Sequence, residues 1–192
     1  MIDIDFKKMV QVIDFFAINL PQKTIGKIDL LKAVFFADRY HMLKNCRTVT
    51  GDEYYAMKHG PVASTIKNIC NCEVTRLSQE EIDYAKEYLA FYKNSVHSKS
   101  KYEDCFFSES DKEALNESLN LFRRLKNEKI NVAEYSHRFF DWERKYAPFL
   151  PQDEDNRIDM DMDEFFDIRN EDDYCSKIDR ELRELNRELI NL

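Results

Sequence analysis

The chain has 192 residues, 43% of them hydrophobic and 34% charged, with a formal net charge of −8. The length fits one domain, large enough to bury roughly 70% of its unfolded surface. Three glycines and four prolines argue against an all-β sandwich or a Gly-rich cofactor loop, and the acidic balance argues against a general phosphate-binding surface.

Five cysteines, Cys46, Cys70, Cys72, Cys105 and Cys175, are irregularly spaced. Cys70 and Cys72 have no second close pair to complete a zinc site. No apolar run approaches the ~20 residues that span a bilayer, and the opening MIDIDFKK has no signal-peptide pattern. A cytoplasmic protein with reduced thiols, no metal and no cofactor is expected.

Taken in order, Phe6, Met9, Val10, Ile13, Ala17 and Leu20 recur at helical spacing and predict a helix from about Asp5 to Asn19. Asp3 and Asp5 suit its positive end, and Pro21 ends it. A second helix follows from about Gly26 to Lys44. Only Asp29 and Lys32 interrupt the apolar run from Ile28 to Ala37, and Ile28, Leu31, Val34, Phe35 and Met42 share a face that neighbours widen nearly all round. Such a helix belongs at the centre of a domain, packed on several sides. That argues against a helix-turn-helix, whose reading helix needs a polar face.

Thr48 to Val62 reads as strand and turn, with short strands near 47–50 and 54–58 across Gly51-Asp52. A brief helix over about Ala63 to Cys70 follows. Ser78 with Glu81 forms a capping box for a helix whose stripe is Ile82, Ala85, Leu89 and Tyr92. Asn94 to Ser100 reads as a loop, and Tyr102 to Phe107 as a third strand. Ser108 or Ser110 caps the next helix, which buries Leu115, Leu119, Phe122 and Leu125. Asn131 with Glu134 marks another start, leading into an aromatic-rich helix from Tyr135 to Tyr146. Gln152 to Asn156 is an acidic linker, and Asp161 with Glu164 caps a turn holding Phe165 and Phe166. The last helix runs from about Asp173 to Asn191, with a seam of Ile178, Leu182, Leu185, Leu189 and Leu192. That seam can fold back on the domain, pair with a second copy as a homodimer, or seat a partner.

Few residues group as chemistry would need. Asp159, Asp161 and Asp163 have calcium-loop spacing, but the Gly and Glu that the loop then requires are Glu164 and Asn170. The four histidines form no metalloenzyme pattern. Asp38, His41, Asp52 and His59 have types that suit proton transfer, without a recognised spacing. The competing reading is structural, with Asp38 a partly buried carboxylate paired with Lys58, His59 or an arginine. The aromatics Phe139, Phe140, Trp142 and Tyr146 fit either core packing or a binding platform.

Two stretches, FFADRYHMLKN over 35–45 and TGDEYYAMKHGPVAS over 50–64, together resemble the signature of the Panacea (SocA-like, GepA-like) antitoxin domain family. Ser108-Glu-Ser-Asp, Tyr135-Ser136-His137 and Trp142 match its later part in order and rough spacing. The resemblance covers about residues 6 to 147, with Phe35 and Ala63 departing from the Tyr and Pro frequent in the family. It assigns Asp38, Gly51, Asp52, Gly60, Pro61, Ser64, His137 and Trp142 to the signature. It implies a bacterial or phage-associated antitoxin that neutralises a cognate toxin, encoded nearby, by direct protein–protein interaction. It implies no catalytic residues. Two alternatives stay open: an adaptor delivering a toxin to a ClpXP-type protease, as SocA does, and a DNA-binding regulator, against which the charge argues. A hydrolase using Asp38, His41 and His59 is a third.

The fold expected is mainly α: a compact helical domain over residues 1–150, built around a central buried helix with a small antiparallel β-sheet. Residues 151–192 supply the linker and a C-terminal amphipathic helix. Toxin contacts are expected at Arg39, Tyr40, Lys58 and His59, which read equally as props for the Gly60-Pro61 turn, and at exposed charges of the last helix.

Overall fold

The computed structural model describes residues 2–139, 158–168 and 173–191. Mainly helical, it contains α1 (Ile4–Ile18), β1 (Thr24–Gly26), α2 (Lys27–Asn45), β2 (Tyr54–Met57), β3 (Gly60–Ala63), α3 (Ser64–Asn71) and α4 (Gln79–Tyr88). Then come β4 (Leu89–Phe91), β5 (Ser95–Ser98), α5 (Glu109–Asn127), α6 (Val132–Ser136), β6 (Ile158–Asp159) and α7 (Arg180–Ile190). None of the helices described is long and apolar enough to cross a membrane.

Helix α2 organises the packing. Every residue from Leu30 to Leu43 is buried, including Lys32, Asp38, Arg39 and His41. α5 lies along it, close enough for the Ser118 hydroxyl to donate to the Ala33 carbonyl at 2.6 Å. α1, α6, α7 and β3 cover its other sides. The helix ends at Cys46 in a left-handed conformation (φ 58°), whose N–H closes onto the Met42 carbonyl. Ile28, read from the sequence as part of the buried face, is 50% exposed, because it sits in the first turn, before the covering helices begin.

The capping signals locate most helix starts. Asp3 caps α1, Asn131 caps α6, and Ser78 with Glu81 forms the expected box on α4. At α5 the box is Ser108 with Asp111, which leaves Glu113 free to bind Tyr40. α3 has no side-chain cap of its own. Instead Asp52, distant in sequence, accepts hydrogen bonds from Thr65 and Ile66 at 3.0 and 2.9 Å.

The strands differ from expectation. There are two antiparallel three-stranded sheets among the described residues, in orders β1-β5-β4 and β3-β2-β6. Residues 47–50 are not a strand: the N–H groups of Val49 and Thr50 donate to the Asp38 carboxylate, so they cannot join a ladder. β2 pairs instead with β3, Tyr54 opposite Ala63 and Met57 opposite Gly60. Residues 102–107 hold a 3-10 turn at Asp104–Phe106, and the Glu103 N–H donates to the Gln11 side chain. Asn94 to Ser100, expected as loop, contains β5, the central strand of its sheet.

The C-terminal segments pack into the same core. Phe165 and Cys175 are fully buried, and β6 pairs with β2. The last helix begins at Arg180 and not near Asp173, because Asp173 is engaged by Arg39 and Asp179 supplies the cap. Its expected seam is rotated. Leu185 and Leu189 are 54% and 49% exposed while Asn186 is buried, drawn in by a 2.9 Å bond from its Nδ2 to the Leu43 carbonyl. The aromatic-rich helix is represented by α6 and a 3-10 turn at His137–Phe139. Its remainder and the acidic linker lie outside the described residues.

Candidate functional site

The signature folds into one layer of contacts between α2 and the loop, hairpin and helix start that follow it. Asp38 is fully buried on α2. Its Oδ1 accepts from the N–H groups of Val49 and Thr50 at 2.8 and 3.0 Å, and its Oδ2 accepts from the hydroxyls of Thr50 and Tyr54. Burial pushes this carboxyl up to about 6, against the pull of those donors. The expected pairing with Lys58, His59 or an arginine is therefore corrected: Asp38 is satisfied by backbone and hydroxyl donors, and it fixes the chain where it leaves α2.

Gly51 follows with φ 70°, its N–H donating to Thr48 Oγ1. Asp52 then reaches α3 as described, and burial raises its pKa despite the N–H groups it accepts from. Ser64 opens α3, its N–H donating to the Glu53 carbonyl at 2.9 Å.

The hairpin turn is held from below. Gly60 has φ +99°, and a Cβ there would lie 2.6 Å from Ser136 Oγ and 3.0 Å from Lys32 Nζ. Only glycine fits both the backbone angle and the space. The fully buried Lys32 donates to the Pro61 carbonyl at 2.7 Å, and burial drives its pKa well below the usual lysine value. His137 crowds the same face, its Cδ2 3.1 Å from where that Cβ would lie, and its pKa is lowered to about 4 by burial and by the nearby Lys32. Trp142, the last signature residue named, lies outside the described residues.

Arg39 and Tyr40 do not form the polar surface expected of them. Arg39 is fully buried, with Nη1 and Nη2 donating to the Asp173 carboxylate at 2.8 and 2.7 Å. Its Nε donates to the Phe165 carbonyl and Nη2 also to that of Asp167. The guanidinium stacks 4.5 Å from the Phe139 ring centre. A planar fork with five donors suits this crowded position, so the residue ties the C-terminal segment to α2. Tyr40 is buried, and its hydroxyl donates to Glu113 at 3.0 Å. Lys58 and His59 sit in the β2–β3 turn and are exposed.

The acid–base grouping does not assemble. His41 Nδ1 lies 2.7 Å from the Arg47 carbonyl and Nε2 lies 3.1 Å from Ser110 Oγ. A carbonyl can only accept, so Nδ1 carries the proton, and burial lowers the pKa of the ring. The partners of Asp38 are a different set, and His59 is out on the turn. Among the described residues there is no group of three or more His, Cys, Asp or Glu placed to hold a metal ion.

Sequence reasoning passed over Lys32, Asp111 and Asp173. Asp111 binds Lys8, Arg47 and Ser108. Burial pushes its pKa up, but the Ser108 and Lys8 contacts prevail and hold it at about 2. Lys32 had a signal, as the one cation within the apolar run from Ile28 to Ala37. Asp173 had none.

These contacts define a helical scaffold whose motif residues brace one another. The family described as Antitoxin SocA-like, Panacea domain matches residues 30–143, more than half of the chain, and the protein belongs to that family. No curated protein and no solved structure gives a significant match.

Proposed function

We propose that this chain is an antitoxin that neutralises its toxin, the product of a neighbouring gene, by direct protein–protein binding in the cytoplasm, without catalysis or a cofactor. The match of residues 30–143 to an antitoxin family carries the reading. The engagement of Asp38, Arg39, His41 and Asp52 inside the fold supports it, because side chains so held brace a surface and do not turn over a substrate. A neutralising interface needs about 1,200–2,000 Å² in total, and a rigid scaffold lowers the ordering cost of forming it. Lys58 and His59 are exposed at the tip of the braced hairpin and remain proposed contacts.

The test is co-expression with the product of the adjacent gene in a host lacking its ClpXP-type protease. Restored growth, with the two proteins co-purifying, supports neutralisation by binding. Rescue that needs the protease would replace this reading with the adaptor alternative, and no rescue in either host would overturn both.

A further inference from the structure

A groove of about 870 Å³ opens between the amino end of α2, α3, the β4–β5 turn and the α5–α6 connection. Lys27, Lys67, Lys93, Lys126 and Lys129 line it against a single carboxylate, Asp29. Such a concentration of positive charge is out of keeping with a chain of net charge −8. Asp29 is engaged by Lys126 at 2.6 Å, and Lys27 donates to Asn71 at 3.1 Å. Lys67, Lys93 and Lys129 have no carboxylate in ion-pair range among the described residues.

Fold stability explains only part of this. Lys126 and Lys129 lie at the carboxyl end of α5, where a cation complements the helix dipole. Lys27 is the first residue of α2, the end at which a cation is disfavoured. Lys67 and Lys93 come from a helix and a hairpin turn that do not need them there. The apolar part of the lining is aliphatic: Ile28, half exposed, with Leu31, Ile130 and Val132.

We propose that this groove seats an acidic amphipathic segment of the protein partner, its apolar side chains on the aliphatic floor and its carboxylates on the lysine rim. That the partner is a toxin rests on the antitoxin reading; the chemistry of the groove does not. Nucleic acid fits less well. The lining has no aromatic ring on which a base could stack, and its cations are all lysines, without the planar fork that grips phosphate. Charge complementarity of this kind governs partner choice and association rate.

The probe is a fluorescein-labelled helical peptide of about 15 residues, with Leu at i, i+3, i+4 and i+7 and Glu elsewhere. The full chain binds it, and binding weakens as salt rises. The triple variant Lys67→Glu, Lys93→Glu, Lys129→Glu binds it about tenfold or more weakly, while its melting temperature falls only by the small amount that reversing Lys129 at the carboxyl end of α5 costs, because none of the three holds an ion pair. Equal binding by the two proteins overturns the proposal, as does displacement of the peptide by an equal or lower concentration of oligothymidylate. A growth assay separates this idea from the one before it. If the wild type rescues growth and the triple variant does not, the groove is the partner's seat. If both rescue equally, the groove proposal fails and the antitoxin reading stands. If the wild type itself fails to rescue, the antitoxin reading fails and the peptide measurement alone decides the groove.

Discussion

Arg39→Met removes the tie between α2 and the C-terminal segment while nearly preserving volume. It leaves the Asp173 carboxylate, almost wholly buried, facing no cation. Breaking a buried ion pair from one side costs about 3–5 kcal/mol. The Phe165 and Asp167 carbonyls also lose donors, at about 1–3 kcal/mol for each that stays buried and unpaired. These losses do not add in full, because the segment can swing into water and rehydrate them. The expected outcome is therefore a loss of about 3–5 kcal/mol in urea unfolding, with early hydrogen exchange at residues 158–168 and slow exchange retained in α5. Arg39→Lys keeps the charge without the fork and loses less. Arg39→Met with Asp173→Leu exchanges the pair for apolar groups and recovers at least half the loss. Arg39→Met within about 0.5 kcal/mol of wild type, or a double variant no better than the single, would refute the reasoning. If Arg39→Met kept its stability and lost its partner, Arg39 would be a contact after all.

Other outcomes follow from the same geometry. Phe35, fully buried and in ring contact with Phe36, Tyr54, Phe139 and Phe165, should lose about 3–5 kcal/mol on change to Ala, read by chemical denaturation. Gly60→Ala should cost about 2–4 kcal/mol, from the positive φ and from the clash with Ser136, and Ser136→Ala in the same chain should relieve part of it. Burial raises the folded pKa of Asp38 to about 6, against 3.8 for an ordinary aspartate carboxyl. The folded state thus holds its proton to higher pH than the unfolded state. Its contribution is fully present below pH 3.8 and is lost as pH rises through 6, a fall of about 3 kcal/mol. Asp38→Asn should flatten the dependence of unfolding free energy on pH across that window, and an unaltered slope would count against the assignment.

The helices were legible because each announces itself locally. The Ser78–Glu81 box and the Asn131 cap stand beside apolar residues at helical spacing, and α2 is apolar on nearly every side. The strands were not. β5 reads Ser-Val-His-Ser and is a central strand with one apolar side chain to show for it, while the N–H groups of 49–50 were taken by the carboxylate of Asp38, back on α2. The signature was readable as a motif, and Gly60-Pro61 as a demanding turn. What lies beneath was not readable, because Lys32 looked like a break in an apolar run and not like the donor to the Pro61 carbonyl. Arg39 and Asp173 are separated by 134 positions, and no local pattern links them. The rotation of α7 turned on a single buried Asn186, which a count of leucines cannot weigh.

In the proposed function, this braced scaffold grips another polypeptide. Titration of the purified chain into the purified product of the adjacent gene, followed by calorimetry and by assay of that product's own activity, tests it most directly. The expected outcome is a stoichiometric complex in which the activity disappears as the complex saturates, with no protease present. Heat of mixing that stays at the dilution level, or an activity that persists beside an excess of this chain, would contradict it.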